Sequence, residues 1–410
     1  MIENAERKNR FTALLITAFI AVGCLIAFPL LFSGCSNGVA PSENPVPQQP
    51  EQPIDLNILC VGDVMVHRSQ LASQYDSSTK KYDYTNNYRY VKDYISQADL
   101  ALCNVETTFA GAPYSGYPDF CAPDELADAL KDAGFDVAIT SNNHMMDRGG
   151  YGLKRTVEVL RNKGFLTAGS RLDPQEKRYA MIEVKGVKVA VVPYTYETPV
   201  SGTGTGINGR VISSENAELI NSFSYQTLDQ DLEQIKRTCD EARTDGAEIV
   251  ILYYHWGEEY QTSANRWQRY IAQQSADHMN VDMIFASHPH VLQEMEYLKS
   301  QKDGKEIPVF FSMGNFISNQ RIETLDNRYT EEGILAKVHL KYLKSQGKIT
   351  DIKMSAIPTW VEKYTTGSKP IYEIIPLDDN LQKNETLKAS GHLSRAEAAL
   401  EDANGLLKKD

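Results

Sequence analysis

The chain has 410 residues, 23 % of them charged, and a formal net charge of −12. That length is enough to bury a proper core in one large domain or two small ones. The acidic balance, with no basic stripe interleaved with aromatics, argues against nucleic acid as a partner, because phosphate contacts need clustered Lys and Arg.

The chain begins with Arg7, Lys8 and Arg10 and then runs uncharged from Phe11 to Cys35. This is the pattern of an export signal or a membrane anchor. Leu31-Phe32-Ser33-Gly34-Cys35 resembles a bacterial lipobox, with Cys35 as the lipidated residue; a retained helix with its basic flank in the cytoplasm is the alternative. Residues 1–35 are thus expected to place the remainder on the extracytoplasmic face of a bacterial cell membrane, held by lipid or by the N-terminal helix. Residues 36–54, rich in Pro, Gln, Ser and Asn, lack the apolar bulk to pack a core and read as a disordered tether. The folded domain is expected over 55–380, and 381–410 reads as a C-terminal tail with a helix.

Within the body, short Val- and Ile-rich runs alternate with amphipathic stretches, the signature of β-α units around buried sheets. "LNILCVGD" is the first strand, followed by "ADLALCNVE", "FDVAITSNN", "VKVAVVPY", "AEIVILYYH", "VDMIFASH" and "IPVFFSMGN". Helices are expected over "DELADALKDAG", "GLKRTVEVLRNKG" and "LDQDLEQIKRTCDEARTDG", each closed by a glycine suited to a C-cap. "ETPVSGTGTGINGR" breaks this rhythm. It lacks the Gly-Lys-Ser/Thr of a phosphate cradle and reads as a mobile loop, with a lid over a site as the alternative. Residues 333–361 alternate apolar and polar, as antiparallel strands do, and Ser394 with Glu397 makes a capping box for the final helix. Cys60, Cys103, Cys121 and Cys239 read as small buried thiols, although an even count in an exported chain also permits disulfides.

Polar residues end the strands: Asp63, Glu106, Asn143 with His144, His255, and His288 with His290. Parallel strands deliver their C-terminal ends to one edge, where α/β folds collect ligands. Two carboxylates converging there need a cation, and mixed imidazole, carboxylate and amide donors suit a transition metal better than calcium. In an extended His288-Pro289-His290 both imidazoles face the same side.

The motifs "GDVM", "NVE", "SNNHMMDRG", "HWGEEY", "SHPHVLQ" and "SMGNF", in this order, resemble the CapA family of poly-γ-glutamate capsule proteins, which is similar to the calcineurin-like metallophosphatases. The resemblance implies a layered α/β sandwich with helices flanking two mixed β-sheets. It implies a site for one or two divalent transition-metal ions (Mn, Fe or Zn). Asp63 and His290 would hold the first, Glu106 would bridge, and Asn143, His255 and His288 would hold the second. His144 would be the acid, oriented by Asp147. Glu259 and Asn315 would line the pocket, and Arg148 would pair with an anionic substrate. Metallophosphatases carry Asp-x-His where this chain has Met65, and His67 is the one nearby residue that would face the same way. The implied function is metal-dependent hydrolysis or transfer on an anionic polymer such as poly-γ-glutamate, or on its precursor. The alternative is a non-catalytic polymer-binding subunit among the partners of a synthesis complex.

Overall fold

The computed structural model describes residues 51–200 and 204–408. The leader, Cys35 and residues 36–50 lie outside the described residues. Among those described, no helix is long and apolar enough to cross a membrane.

The expected strands form two sheets. The eight-stranded sheet runs in the order Lys369–Pro376, Lys348–Thr366, Glu332–Leu343, Ile54–Val64, Leu100–Val105, Val137–Ile139, Leu166–Ala168, with Asn315–Ile317 also paired to Ile54–Val64. Its half from Ile54 to Ala168 is parallel, while Glu332–Leu343 and the strands beyond it are antiparallel. The seven-stranded sheet runs Ser222–Phe223, Val187–Tyr196, Ile249–His255, Met283–Ser287, Glu306–Phe310, Met295–Lys299, with Ala180–Val184 folded back on Val187–Tyr196.

Side-chain alternation builds the layers. Leu100 and Leu102 belong to the core between the sheets together with Ile249, Ile251 and Tyr253. Their neighbours Ala101, Cys103 and Val105 pack with Leu126 and Leu130 of the helix Glu125–Ala133. Val250, Leu252 and Tyr254 pack with Ile235 of the helix Leu228–Thr244 and Ile271 of the helix Arg266–His278. The result is helix, sheet, sheet, helix, with every inner strand apolar on both faces. Glu125–Ala133 ends as expected at Gly134, whose φ of 110° is the left-handed C-cap conformation. The four body cysteines are free and buried.

The final helix, Leu393–Leu407, starts differently from its expectation. Ser394 lies inside its first turn and the N-cap is His392, whose Nδ1 is 2.8 Å from the buried carboxylate of Glu362. That tertiary contact sets the start in place of a local capping box.

One irregularity positions the site. Val61 pairs with Cys103 but Asp63 pairs with Asn104, so Gly62 is an extra residue, a β-bulge. Strict alternation would send Asp63 to the same outer face as Val61. The bulge turns it to the face of Asn104, between the sheets. A Cβ on Gly62 would lie 2.0 Å from the Gly314 carbonyl oxygen, so only glycine allows this approach. Gly62→Ala is therefore expected to destabilise the protein by about 3 kcal/mol, the upper end of overpacking costs, as measured by chemical unfolding. The same change is expected to abolish metal uptake.

Candidate metal centre

Both sheets contribute to one edge. Asp63, Glu106 and Asn143 follow strands of the eight-stranded sheet, and His255, His288 and His290 follow strands of the seven-stranded one. All six are buried, none more than 3 % exposed. The His288-Pro289-His290 segment does not take the extended form expected from its proline. His288 has φ 108° and His290 φ 59°, sparsely populated for non-glycine residues, each costing on the order of 1–3 kcal/mol. The turn still brings the rings together, with centroids 5.9 Å apart.

Asp63 is thoroughly bonded. Its Oδ1 accepts from Asn104 Nδ2 at 2.8 Å and Ser287 Oγ at 2.5 Å, and its Oδ2 meets His290 Nδ1 at 3.0 Å. Burial pushes its pKa upward, but the hydrogen bond and charge of His290 outweigh that and hold it below the usual carboxylate range. His290 is raised in turn, since Asp63 outweighs the effect of burial. Glu106 is the reverse case: burial first, then the neighbouring Asp63, push its carboxyl well up. Burial lowers His255 to about 3 and carries His288 well below the ordinary imidazole value. Without a metal, the site thus holds His255 and His288 as neutral imidazoles beside a Glu106 carboxyl that favours its proton, while His290 is paired with Asp63.

Two atoms show what the site lacks. Glu106 Oε1 and His288 Nδ1 are buried with no hydrogen-bond partner among the described residues, and such orphans are rare unless a water or ion meets them. Glu106 Oε1 lies 3.7 Å from His255 Nε2 and 3.9 Å from His290 Nε2, too far for hydrogen bonds. Two sets of possible ligand atoms lie within 4.8 Å of one another: Glu106, His288 and His290, and Asp63, Glu106 and His255. The donors fit a divalent transition metal. Glu106 belongs to both sets, as a bridging residue would. The histidines divide differently from the expected assignment, His290 grouping with His288. Asn143 Oδ1 is 3.0 Å from His255 Nε2, adding an amide oxygen at the edge of the second set.

Beside the centre, His144 Nδ1 is 2.7 Å from Asp147 Oδ2, which also accepts from the Phe120 N–H at 2.6 Å. Asp147 thereby accepts the hydrogen bond from Nδ1–H and fixes the ring, leaving Nε2 as the nitrogen available for chemistry. His144, Asn143 and Glu259 line a cavity of about 750 Å³, together with His67, Asp119, Asn208, Arg210, Tyr260 and Asn319 among others.

Arg148 is turned elsewhere, donating to Ser115 Oγ at 2.6 Å and to the Pro113 carbonyl oxygen at 3.3 Å. The cavity arginine is Arg210, bound to Asp119, with its Nε 4.0 Å from Asp147 Oδ1. It sits on the glycine-rich segment, which folds Gly204–Ile207 against Arg210–Val211. Asn315 is also not a pocket residue. It is wholly buried, its Oδ1 3.1 Å from His290 Nδ1 and its amide donating to Thr330 O and Gln320 Oε1, so it orients His290. Sequence reading gave Asn104, Asn142 and Ser287 no role in the site. Asn142 holds Asn104 by its side-chain oxygen and Val105 by its carbonyl, and Asn104 and Ser287 hold Asp63. Their signal was available: polar residues one or two places from a ligand, in or just after apolar strands.

The fold and the site together define a layered α/β sandwich whose edge carries a candidate divalent-metal centre of two carboxylates, three imidazoles and an amide. More narrowly, the chain belongs to the bacterial capsule synthesis protein family PGA_cap, whose model matches residues 57–320. Similar relatives include the "Capsule biosynthesis protein CapA" of Bacillus anthracis, 26 % identical over 349 residues covering 83 % of this chain and 75 % of that protein. The "PGA biosynthesis protein CapA" of Bacillus subtilis strain 168 is 30 % identical over 260 residues, covering 62 % of this chain and 61 % of that protein. The chain therefore spans about three-quarters and three-fifths of these relatives' lengths. Among solved structures, a Mycoplasma pneumoniae phosphatase aligns at TM-score 0.41 and 14 % identity, covering 75 % of this chain and 94 % of that one. The calcineurin-like phosphoesterase YfkN of Bacillus subtilis aligns at TM-score 0.41 and 15 % identity, covering 85 % and 100 %. Both likenesses are too loose to bear on chemistry.

Because the folded-state value of Glu106 lies above its unfolded one, its contribution to stability is present below the unfolded value and is lost as pH rises through the folded one. Glu106→Gln is thus expected to stabilise the metal-free protein at pH 7.5 by about 1–3 kcal/mol, the cost of one unsatisfied buried group, and to stabilise it less at pH 4. The same variant is expected to lose the thermal stabilisation that Mn²⁺ or Zn²⁺ gives the wild type, read by calorimetry. Wild-type metal affinity is expected to rise with pH over that range, since binding must expel the Glu106 proton.

Proposed function

We propose that the chain is a membrane-attached protein on the extracytoplasmic face of a bacterial cell that takes part in capsule or poly-γ-glutamate biosynthesis. Its edge site supports metal-dependent hydrolysis or group transfer at a phosphoester or amide bond of an anionic polymer or its precursor. The N-terminal basic-then-apolar pattern supports the location, and family membership and the names of the relatives support the process. The observation that carries the chemistry is the pair of unpartnered buried atoms, Glu106 Oε1 and His288 Nδ1, inside a convergent donor set.

Asp63, Glu106, Asn143, His255, His288 and His290 would hold the metal. A divalent cation held there supplies Lewis-acid polarisation of a phosphoryl or carbonyl oxygen. Asp147 fixes the His144 ring through Nδ1–H, and the imidazolium held in this way would give its Nε2 proton to the leaving group. The cavity walls of Tyr260, Asn208 and Arg210 position substrate against that ring.

Met65 favours a second reading. It is buried, 1 % exposed, and its thioether is a poor ligand for borderline metals. With a weak first metal position the protein would be a non-catalytic, polymer-binding subunit of a synthesis complex. Elemental analysis of protein purified under metal-replete conditions separates the two: bound transition metal supports the enzyme, and its absence supports the subunit. Under the first reading, His144→Ala is expected to lower turnover by ~10²–10⁴-fold with metal content unchanged. An unaltered rate removes the assigned acid.

A further inference from the structure

His67 is a second imidazole in the cavity wall that neither the donor sets nor the His144–Asp147 pair uses. It does not replace the histidine missing at Met65, because it belongs to neither set of possible ligand atoms among the described residues. Its own hydrogen bonds define its state. The Asn319 N–H points at His67 Nδ1 at 3.2 Å, and Nδ1 also lies 3.3 Å from Gln70 Oε1. The two contacts need opposite states of Nδ1. Gln70 Oε1 already accepts from the His67 backbone N–H at 2.8 Å, and its amide is anchored on the Met65 carbonyl oxygen. Asn319 N–H has no other acceptor among the described residues, and an orphaned backbone donor is the costlier loss. Nδ1 is therefore bare, and the ring proton sits on Nε2. Burial, with the charges of His290 and His144 nearby, lowers this imidazole to about 4, so it stays neutral.

Placement gives that proton a task. Phe120 packs against both imidazoles in T-shaped contacts, 5.0 Å from His67 and 4.6 Å from His144 between ring centroids. Phe120 is held in turn by its N–H to Asp147. One loop therefore sets both rings at the cavity, and Nε2 of His67 has no protein partner among the described residues. Asp63, Glu106 and Glu259 make the surroundings acidic. An anionic substrate there gains from a donor.

We propose that His67 is a substrate-binding residue that donates its Nε2–H to an anionic oxygen, of phosphate or carboxylate, bound in the cavity that His67 and His144 both line. This rests on the reading of the cavity as a substrate site for anions. It adds a donor that holds its proton throughout, beside the one that gives its proton up.

The test uses full-length protein, with and without Mn²⁺, and titrates inorganic phosphate in one arm and glutarate in the other. His67→Phe is expected to weaken binding of one of them about tenfold or more, and the arm affected tells phosphoryl from carboxylate. His67→Gln, which restores an N–H donor, is expected to recover part of that loss. Metal content is expected to hold in both variants, with the melting temperature lowered in His67→Phe, which removes the acceptor of the Asn319 N–H, and kept in His67→Gln, whose amide oxygen can replace it. ¹⁵N NMR of the histidines is expected to show the Nε2–H tautomer at position 67, without titration between pH 5.5 and 8. Unchanged affinity in both arms, an Nδ1–H tautomer, or loss of metal in His67→Phe each overturns the proposal. Failure of the wild type to bind either anion also overturns it. Failure to take up Mn²⁺ instead refutes the metal reading, and the titrations without metal then still decide the role of His67.

Discussion

Two carboxylates lie side by side in the seam between two sheets, out of reach of water, and the edge of the molecule is organised around that burial. Asp63 is given three partners, the Asn104 amide, the Ser287 hydroxyl and the His290 imidazole. Glu106 receives one long contact from Asn104 at 3.3 Å and is otherwise left open. The asymmetry divides the labour: one carboxylate is kept ionised as a fixed anion, and the other is kept hungry for a cation. Leaving the buried Glu106 Oε1 without a partner costs on the order of 1–3 kcal/mol, which the apolar core between the sheets has to offset. Since each sheet brings three of the donors, an ion bound there would tie the two sheets at the end where few apolar contacts do so.

The parts of this arrangement that depend on local periodicity were legible in the sequence. Apolar runs that end in Asp, Glu, Asn or His named the strands and also their site-facing ends, because parallel sheets share an edge. Asn143, His144 and Asp147 lie in one turn, so their association is a short-range matter. What could not be read depends on distant partners. Alternation puts Asp63 on the wrong face, and only the bulge at Gly62 corrects it. That bulge is a fit against Gly314, some 250 residues on. Arg148 adjoins the His144 turn but its Nη2 donates to Pro113 and Ser115, while Arg210 reaches the cavity from a hairpin far along the chain. Asn315 stands in a motif with the look of a pocket residue and is used internally, because the strand that carries it is tucked beside Ile54–Val64.

The cavity itself is made of loops on a rigid base, the usual division between recognition and scaffold. One wall, Asn319 to Leu325, is secured from behind. Arg321, 1 % exposed, donates to the Val361 carbonyl oxygen and pairs with Glu331 at 2.9 Å. Glu331 also accepts from Trp360 Nε1 and from Arg395 of the final helix. The last helix of the chain thus braces a wall that carries Asn319, the residue whose N–H sets the tautomer of His67. Terminal packing and the chemistry of the cavity are joined through one buried ion network.

His288 and His290 hold left-handed backbone conformations that glycine would adopt without strain. Selection keeps a side chain at such a position only while the side chain is needed. A lineage that gave up the metal would gain stability by letting either residue drift to glycine. The identities at these two positions across descendants therefore form a fossil record, marking which copies still use the ion and which have become inert scaffolds.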